Sequence, residues 1–229
     1  MISLYDFVAG FVQGTVSPAE FADVLNRRPE VLDWLQSIVP EGKIFYKCEV
    51  QVNEYGQNAH HIEPVPYDIR LTVKKCIDES HCNPWCFYYH LHLEITGLLK
   101  EAFPEEEYSP RDDIKKRYFF ELEAIPRYIG GKEVYESGII DRVIDNLPDS
   151  VCEDEKSVMC QRIIMKIFHI TNNKYPHWRK EAEWPMDKSG EPMRFLSEKN
   201  VNDKKYEYLF EDTKTGKTKK IVQMSSRKF

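Results

Sequence analysis

The densest grouping of side chains able to do chemistry is KKCIDESHCNPWCFYYHLH, where Cys76, His81, Cys82, Cys86, His90 and His92 fall within seventeen residues. Thiolates and imidazoles are the usual zinc ligands. Asn83-Pro84 is an N-cap and N1 pair, so a helix opens there. Cys86 and His90 then lie one turn apart on one face, with Cys82 just before the cap. The weak candidates for a metal are therefore Cys82, Cys86 and His90, and a metal-dependent hydrolase using them with His81 is the sharpest enzymatic reading. Against it, there is no Cys-x-x-Cys and no second pair at knuckle spacing, and His92 points away from His90 on a helix. Cysteines also behave as small buried hydrophobes. The cluster is expected to be core, with neither a metal nor a cofactor bound.

Nucleophilic catalysis would need a serine or cysteine beside a base. Cys86 and His90 could meet at i, i+4, but on an apolar helix such neighbours pack. No Gly-x-Ser-x-Gly elbow, Walker loop, Gly-x-Gly-x-x-Gly or His-Glu-x-x-His run is present. The run PDSVCEDEK (148–156) matches a metal-nuclease pattern loosely, but that site needs its acids on adjacent strands. Here they fall between two predicted helices. A non-enzymatic protein is expected.

Charge is the remaining signal. The 229 residues carry a net charge of −6. Residues 212–229 hold six basic side chains against Asp212, a local +5, so the first 211 residues sum to −11. An acidic body argues against direct nucleic-acid binding, which needs clustered cations. Glu133, Glu136, Asp141, Asp145, Asp149, Glu153, Asp154 and Glu155 are opposed within the run only by Arg142, with Lys132 just before it. Asp141 and Asp145 lie one turn apart, on a predicted exposed face. Such a patch suits docking of a basic protein, with electrostatic steering of the encounter.

The elements that must position these groups are mostly helices. Leu4, Phe7, Val8, Phe11 and Val12 make an amphipathic stripe ended by Gly14. Ser17-Pro18 and Pro29 open two more helices, and Pro40 with Gly42 closes the set. Ile44, Tyr46, Cys48, Val50 and Val52 alternate as a strand over 44–52, followed by a loop over 56–66. Further helices are predicted over 68–79, 84–103, 109–128 (opened by Ser109-Pro110), 133–147 and 153–170. Short strands follow at 193–197, 206–211 and 218–224. The fold class is thus α+β: a mainly helical body over about 1–170 and a small C-terminal antiparallel β-meander over about 190–225. We expect a single domain over 1–229, with 1–172 as the body and 173–229 as a Trp/Pro-rich connector and meander packed on it. No run of eighteen apolar residues exists, so no membrane span is expected. The opening MISLYDFVAGFVQG lacks a basic n-region, and six cysteines are too sparse for a disulfide scaffold, so a cytoplasmic, reduced setting is expected.

The connector KYPHWRKEAEWPMDKSGEPMRFL carries Trp178 and Trp184 among prolines that force an extended path. Aromatics of this size are usually buried. Trp178, Trp184 and Phe195 are expected to latch the meander onto the helices.

Two regions resemble known proteins. The opening, with Gly14, Val16, Ser17 and Phe21 in a Gly-x-hydrophobic-Ser-x-x-x-Phe turn between helices, resembles bacterial immunity proteins of polymorphic and contact-dependent growth inhibition toxin systems. The connector and the predicted strand at 206–211, with Pro176/Trp178, Glu183/Trp184/Pro185, Gly190/Pro192/Met193/Phe195 and Phe210/Glu211/Asp212, are similar to the C-terminus of uncharacterised bacterial proteins. Where that pattern has a glutamine two residues after the first tryptophan, this chain has Lys180. The resemblance implies a protein that binds and blocks a cognate toxin domain, with a basic nuclease fitting the acidic surface. A regulatory adaptor with the same surface chemistry is the alternative beside the hydrolase.

Overall fold

The computed structural model describes residues 3–52, 58–108 and 111–224. By internal contacts the chain divides into two compact units, 1–80 with 85–116 and 81–84 with 117–227. The seam lies between Lys116 and Arg117, upstream of the change in sequence character near residue 172.

The first unit opens with α1 (Leu4–Gln13), whose N-cap Ser3 accepts from the Asp6 N–H at 3.0 Å. The helix stops because Gly14 turns left-handed (φ 93°), letting its N–H and those of Thr15 and Val16 converge on the Gly10 carbonyl. Gly10 is required as well, since a Cβ there would stand 2.7 Å from the Thr15 hydroxyl. α2 (Pro18–Arg27) and α3 (Pro29–Ser37) follow, each with proline at its start. Phe11 and Phe21 stack at 4.0 Å in a core shared with α4 (Ile69–Glu79) and α5 (Pro84–Ala102). The Gln36 side chain donates to the Tyr67 carbonyl and accepts from the Ile69 N–H, so α3 fixes the start of α4.

Between α3 and α4 lies an antiparallel hairpin of β1 (Ile44–Val52) and β2 (Asn58–Pro66), paired from Ile44↔Pro66 to Val52↔Asn58. The second strand replaces most of the loop expected over 56–66. Pro64 and Pro66 hid it, since proline cannot donate to a ladder, but a two-stranded sheet leaves outer edges where proline is tolerated. The alternation in β1 also points the other way from an ordinary core strand. Ile44, Tyr46 and Ile62 are exposed while Phe45 packs against the core.

The second unit takes the rest of α6 (Asp112–Ala124), then α7 (Lys132–Glu136), α8 (Ile139–Asp145) and α9 (Glu153–Ile167). Ser109 and Pro110, expected to open α6, lie outside the described residues. The helix expected over 133–147 is two short helices, broken where Gly138 adopts φ 66°. α9 ends three residues early because His169 turns left-handed at φ 55°. β3 (Arg194–Asn202), β4 (Lys205–Glu211) and β5 (Thr218–Met224) form an antiparallel sheet in the order 3-4-5, an α+β layout. Tyr208 and Phe210 alternate inward along β4 and meet Phe168, Ile164 and Val134 from the helices.

The connector crosses this core with little regular structure, so side chains satisfy its backbone. The Gln223 side chain from β5 accepts from the N–H groups of Arg179 and Lys180 at 3.0 and 2.9 Å, and donates to the Glu181 carbonyl at 2.8 Å. Gly131 (φ 101°) admits the chain closely, because a Cβ there would stand 2.7 Å from the Ala182 carbonyl oxygen.

Candidate functional site

The acidic run is divided by its own geometry. Arg117 on α6 donates Nε to Glu121 and Nη1 to Asp145, both at 2.9 Å, and Nη2 to Asp141. Asn83 donates to the other Glu121 oxygen at 3.0 Å. Glu121 is 2% exposed, and burial outweighs these partners to push its carboxyl above the usual range. On Arg117 burial works against the charge, yet Glu121, Asp145 and Asp141 together hold its pKa above the ordinary value. Asp141 and Asp145 are therefore not a free docking face. Replacing both with lysine would set three cations against one buried carboxylate, so that change cannot test an interface. The sequence concealed this because Arg117 lies 24 residues from Asp141.

Glu133 is committed too. It accepts from Lys219 at 2.8 and 3.0 Å and from the Met186 N–H at 2.9 Å, tying α7 to β5 and the connector. Burial opposes its charge, but those hydrogen bonds keep its pKa low. Glu136 lies 3.6 Å from Lys132 one turn away, an exposed pair worth little. What remains is Asp149, in the loop before α9, with Glu153, Asp154 and Glu155 in its first turn, all exposed. Asp149 stands 3.6 Å from Lys156. The other three have no ion pair among the described residues and sit at the positive end of the helix dipole, which favours them there. The run PDSVCEDEK thus spans a loop and one helical turn, not two adjacent strands.

The cysteine and histidine cluster disperses. Cys76 is buried on α4, where burial first, then Glu94 and Glu79, push its thiol up to about 12. His81 and Cys82 occupy a left-handed turn (φ 49° and 65°), and His81 Nδ1 meets Glu181 at 2.7 Å. Cys86 is buried with Sγ 3.7 Å from the Glu79 carbonyl oxygen, and His90 Nδ1 stands 3.7 Å from the Glu79 carboxylate. His92 is buried, with Nε2 3.2 Å from the Val12 carbonyl. A carbonyl can only accept, so Nε2 carries the proton. Cys86 and His90 belong to the first unit and Cys82 to the second. Among the described residues no three His, Cys, Asp or Glu side chains converge as a metal site.

The aromatic trio lies in the core of the second unit. Trp184 is 1% exposed, meets Phe168 and Phe210 edge-on, and donates Nε1 to the Met193 carbonyl at 2.8 Å. Trp178 stacks on Phe210 and donates Nε1 to the Tyr128 carbonyl at 2.8 Å, while Phe195 packs against Phe210.

Two surface grooves flank α9. One, about 310 Å³, is lined by Ile139, Val143, Ile163 and Ile167 with Arg142 and Glu191. The other, about 500 Å³, gathers Arg162, Lys166, His169 and Arg194. The sequence reading passed over this second set. Its signal was the spacing of Arg162 and Lys166, two cations one helical turn apart. In comparisons with family models, curated proteins and solved structures, nothing matches this chain.

Proposed function

We propose that this chain is a non-enzymatic immunity protein that acts inside the bacterial cell, binding and neutralising a cognate toxin domain with a basic surface. The observation that carries the reading is the exposed acidic end of α9, Asp149 with Glu153, Asp154 and Glu155, where three neighbouring carboxylates are left uncompensated. Carboxylates so placed imitate the phosphates that a nuclease gathers with its lysines and arginines. They also steer a basic partner toward the first turn of α9. The resemblance of the N-terminal helices to immunity proteins supports the same reading.

The test is co-production with the C-terminal domain of a large toxin encoded beside this chain's gene, then affinity measurement on the purified pair. Glu153→Lys/Asp154→Lys/Glu155→Lys should weaken binding by roughly tenfold or more at low salt. Melting should change little, because the three side chains are exposed, with no ion pair among the described residues, and lose only about 0.3–1 kcal/mol each with the helix dipole. Unchanged affinity removes this face from the interface, and absence of any complex ends the immunity reading.

A further inference from the structure

The groove at the C-terminal end of α9 collects positive charge from two elements. Arg162 and Lys166 stand one turn apart on α9, His169 follows past the helix end in its left-handed turn, and Arg194 arrives from the first residue of β3. Glu211 clamps the Arg194 guanidinium, which neutralises that arginine and fixes its orientation while leaving further N–H donors open. No ion pair engages Arg162 or Lys166 among the described residues. Both face the same space of about 500 Å³, above the side chains of Met165 and Ile170.

Ordinary helix electrostatics explains only part of this. A cation in the last turn complements the dipole, which accounts for Lys166 beside the last helical residue, Ile167. Arg162 lies more than a turn from that end, where the dipole effect has faded, and Arg194 is not on the helix at all. In a chain with net charge −6, cations converging from a helix and a strand on one groove are not a by-product of composition.

We propose that this groove is a binding site for an organic phosphate, with the phosphate monoester on Arg162, Lys166 and Arg194 and the organic body over Met165 and Ile170. Two uncompensated positive charges match the near-dianion that a phosphate monoester carries at neutral pH. Arginine forks suit phosphate oxygens because they donate in pairs. The volume lies within the range of small-molecule sites, and the apolar floor gives the body of the ligand something to cover. Separate peptide carboxylates carry one charge each and would leave that floor bare. The site lies at the opposite end of α9 from the acidic turn, and its existence does not depend on the function proposed above.

The experiment is isothermal titration of the full chain with adenosine 5′-monophosphate, glucose 6-phosphate, inorganic phosphate and hexaglutamate. At least one of the two organic phosphates should bind, roughly tenfold tighter than inorganic phosphate, the difference supplied by apolar burial. Arg162→Gln/Lys166→Gln should weaken that binding about tenfold or more, since it removes two charge-assisted contacts. Both side chains are exposed, so the variant should melt with the parent and circular dichroism will verify it. Lack of binding by either organic phosphate overturns the proposal. So does affinity equal to that of inorganic phosphate, or affinity unchanged in the folded variant. Tighter binding of hexaglutamate would assign the groove to an acidic peptide instead.

Discussion

The two units solve the problem of backbone polar groups in opposite ways. In the first, helices satisfy most of their own N–H and C=O groups, and packing is left to an apolar set centred on Phe11, Phe21, Leu35, Leu91 and Ile95. The polar ties among its described residues are chiefly Gln36 at the start of α4, Arg111 on the Val16 carbonyl and His92 on the Val12 carbonyl. In the second, the connector between Thr171 and Met193 has no helix and only one bridge, Met186↔Pro192. Four of its donors are met by side chains from elsewhere: Gln223 takes Arg179 and Lys180, Glu133 takes Met186, and Glu198 takes His177, while the Trp184 N–H reaches the Gly130 carbonyl. Irregular backbone can run through a core only where side chains stand in for a ladder. The second unit therefore depends on individual polar residues more than the first does.

The largest expected effect is Trp184→Ala. Its loss removes a buried indole and its bond to Met193, costing about 3–5 kcal/mol by denaturant unfolding. A cost below about 1 kcal/mol would mean the connector is not held by its aromatics. Next comes a matched pair that tests the contrast itself. Gln223→Ala orphans the Lys180 N–H and the Glu181 carbonyl, while the Arg179 N–H keeps the Tyr208 hydroxyl. Because Gln223 is buried and Gln36 only half-buried, the loss should cost about 2–4 kcal/mol, against about 1–2 kcal/mol for Gln36→Ala. Equal costs for the two glutamines would break the comparison. A smaller loss, about 1 kcal/mol, is expected for Ser17→Ala, which removes the N-cap oxygen that accepts from the Glu20 N–H. Loss of protection confined to the α2 amides in hydrogen exchange would verify that the cost is local.

Acidification should separate the units by sign and window. Burial holds the His92 pKa below its ordinary value, with Arg111 helping and the Val12 carbonyl and Asp113 opposing. A depressed histidine contributes stability above its unfolded pKa of about 6.5, and that contribution is lost as pH falls through the lower folded value. In the second unit Glu133, Asp187, Glu207 and Asp212 have depressed carboxyls, for Asp187 chiefly through the Glu191 N–H and the Ser189 hydroxyl. Their contribution holds until pH falls below about 4. Glu121 runs the other way, since its raised pKa favours the fold as it protonates. Between pH 7 and 5, exchange protection should thus fall in α1 and α5 and hold in β4. A fall in β4 alone over that interval would reverse the assignment.

Much of the fold was legible because local rules wrote it. Ser17-Pro18 and Asn83-Pro84 mark helix starts that depend only on neighbouring residues, and the period of Tyr206, Tyr208 and Phe210 marks β4 directly. What escaped was decided at a distance or by one backbone angle. Gly138 reads as an ordinary glycine until φ 66° splits α7 from α8, and β2 carries prolines that suggest a loop. The acidic run was visible as composition, but spacing along the chain could not say that Arg117 holds two of its members or that Lys219 holds a third. Arg162 and Arg194 belong to different elements, so only the folded chain sets them on one groove.

Gln223 also bears on how the sheet finds its alignment. β5 pairs with β4 in a single register, Tyr206 opposite Gln223 and Glu211 opposite Thr218. Lys219, Ile221 and Gln223 share its inner face, where Ile221 packs on the core and Lys219 reaches Glu133. A slip by one residue would turn Gln223 to the opposite face of the sheet and strand the connector's donors. The amide therefore joins Ile221 and Lys219 in favouring one alignment of the last strand, the one in which the connector can close.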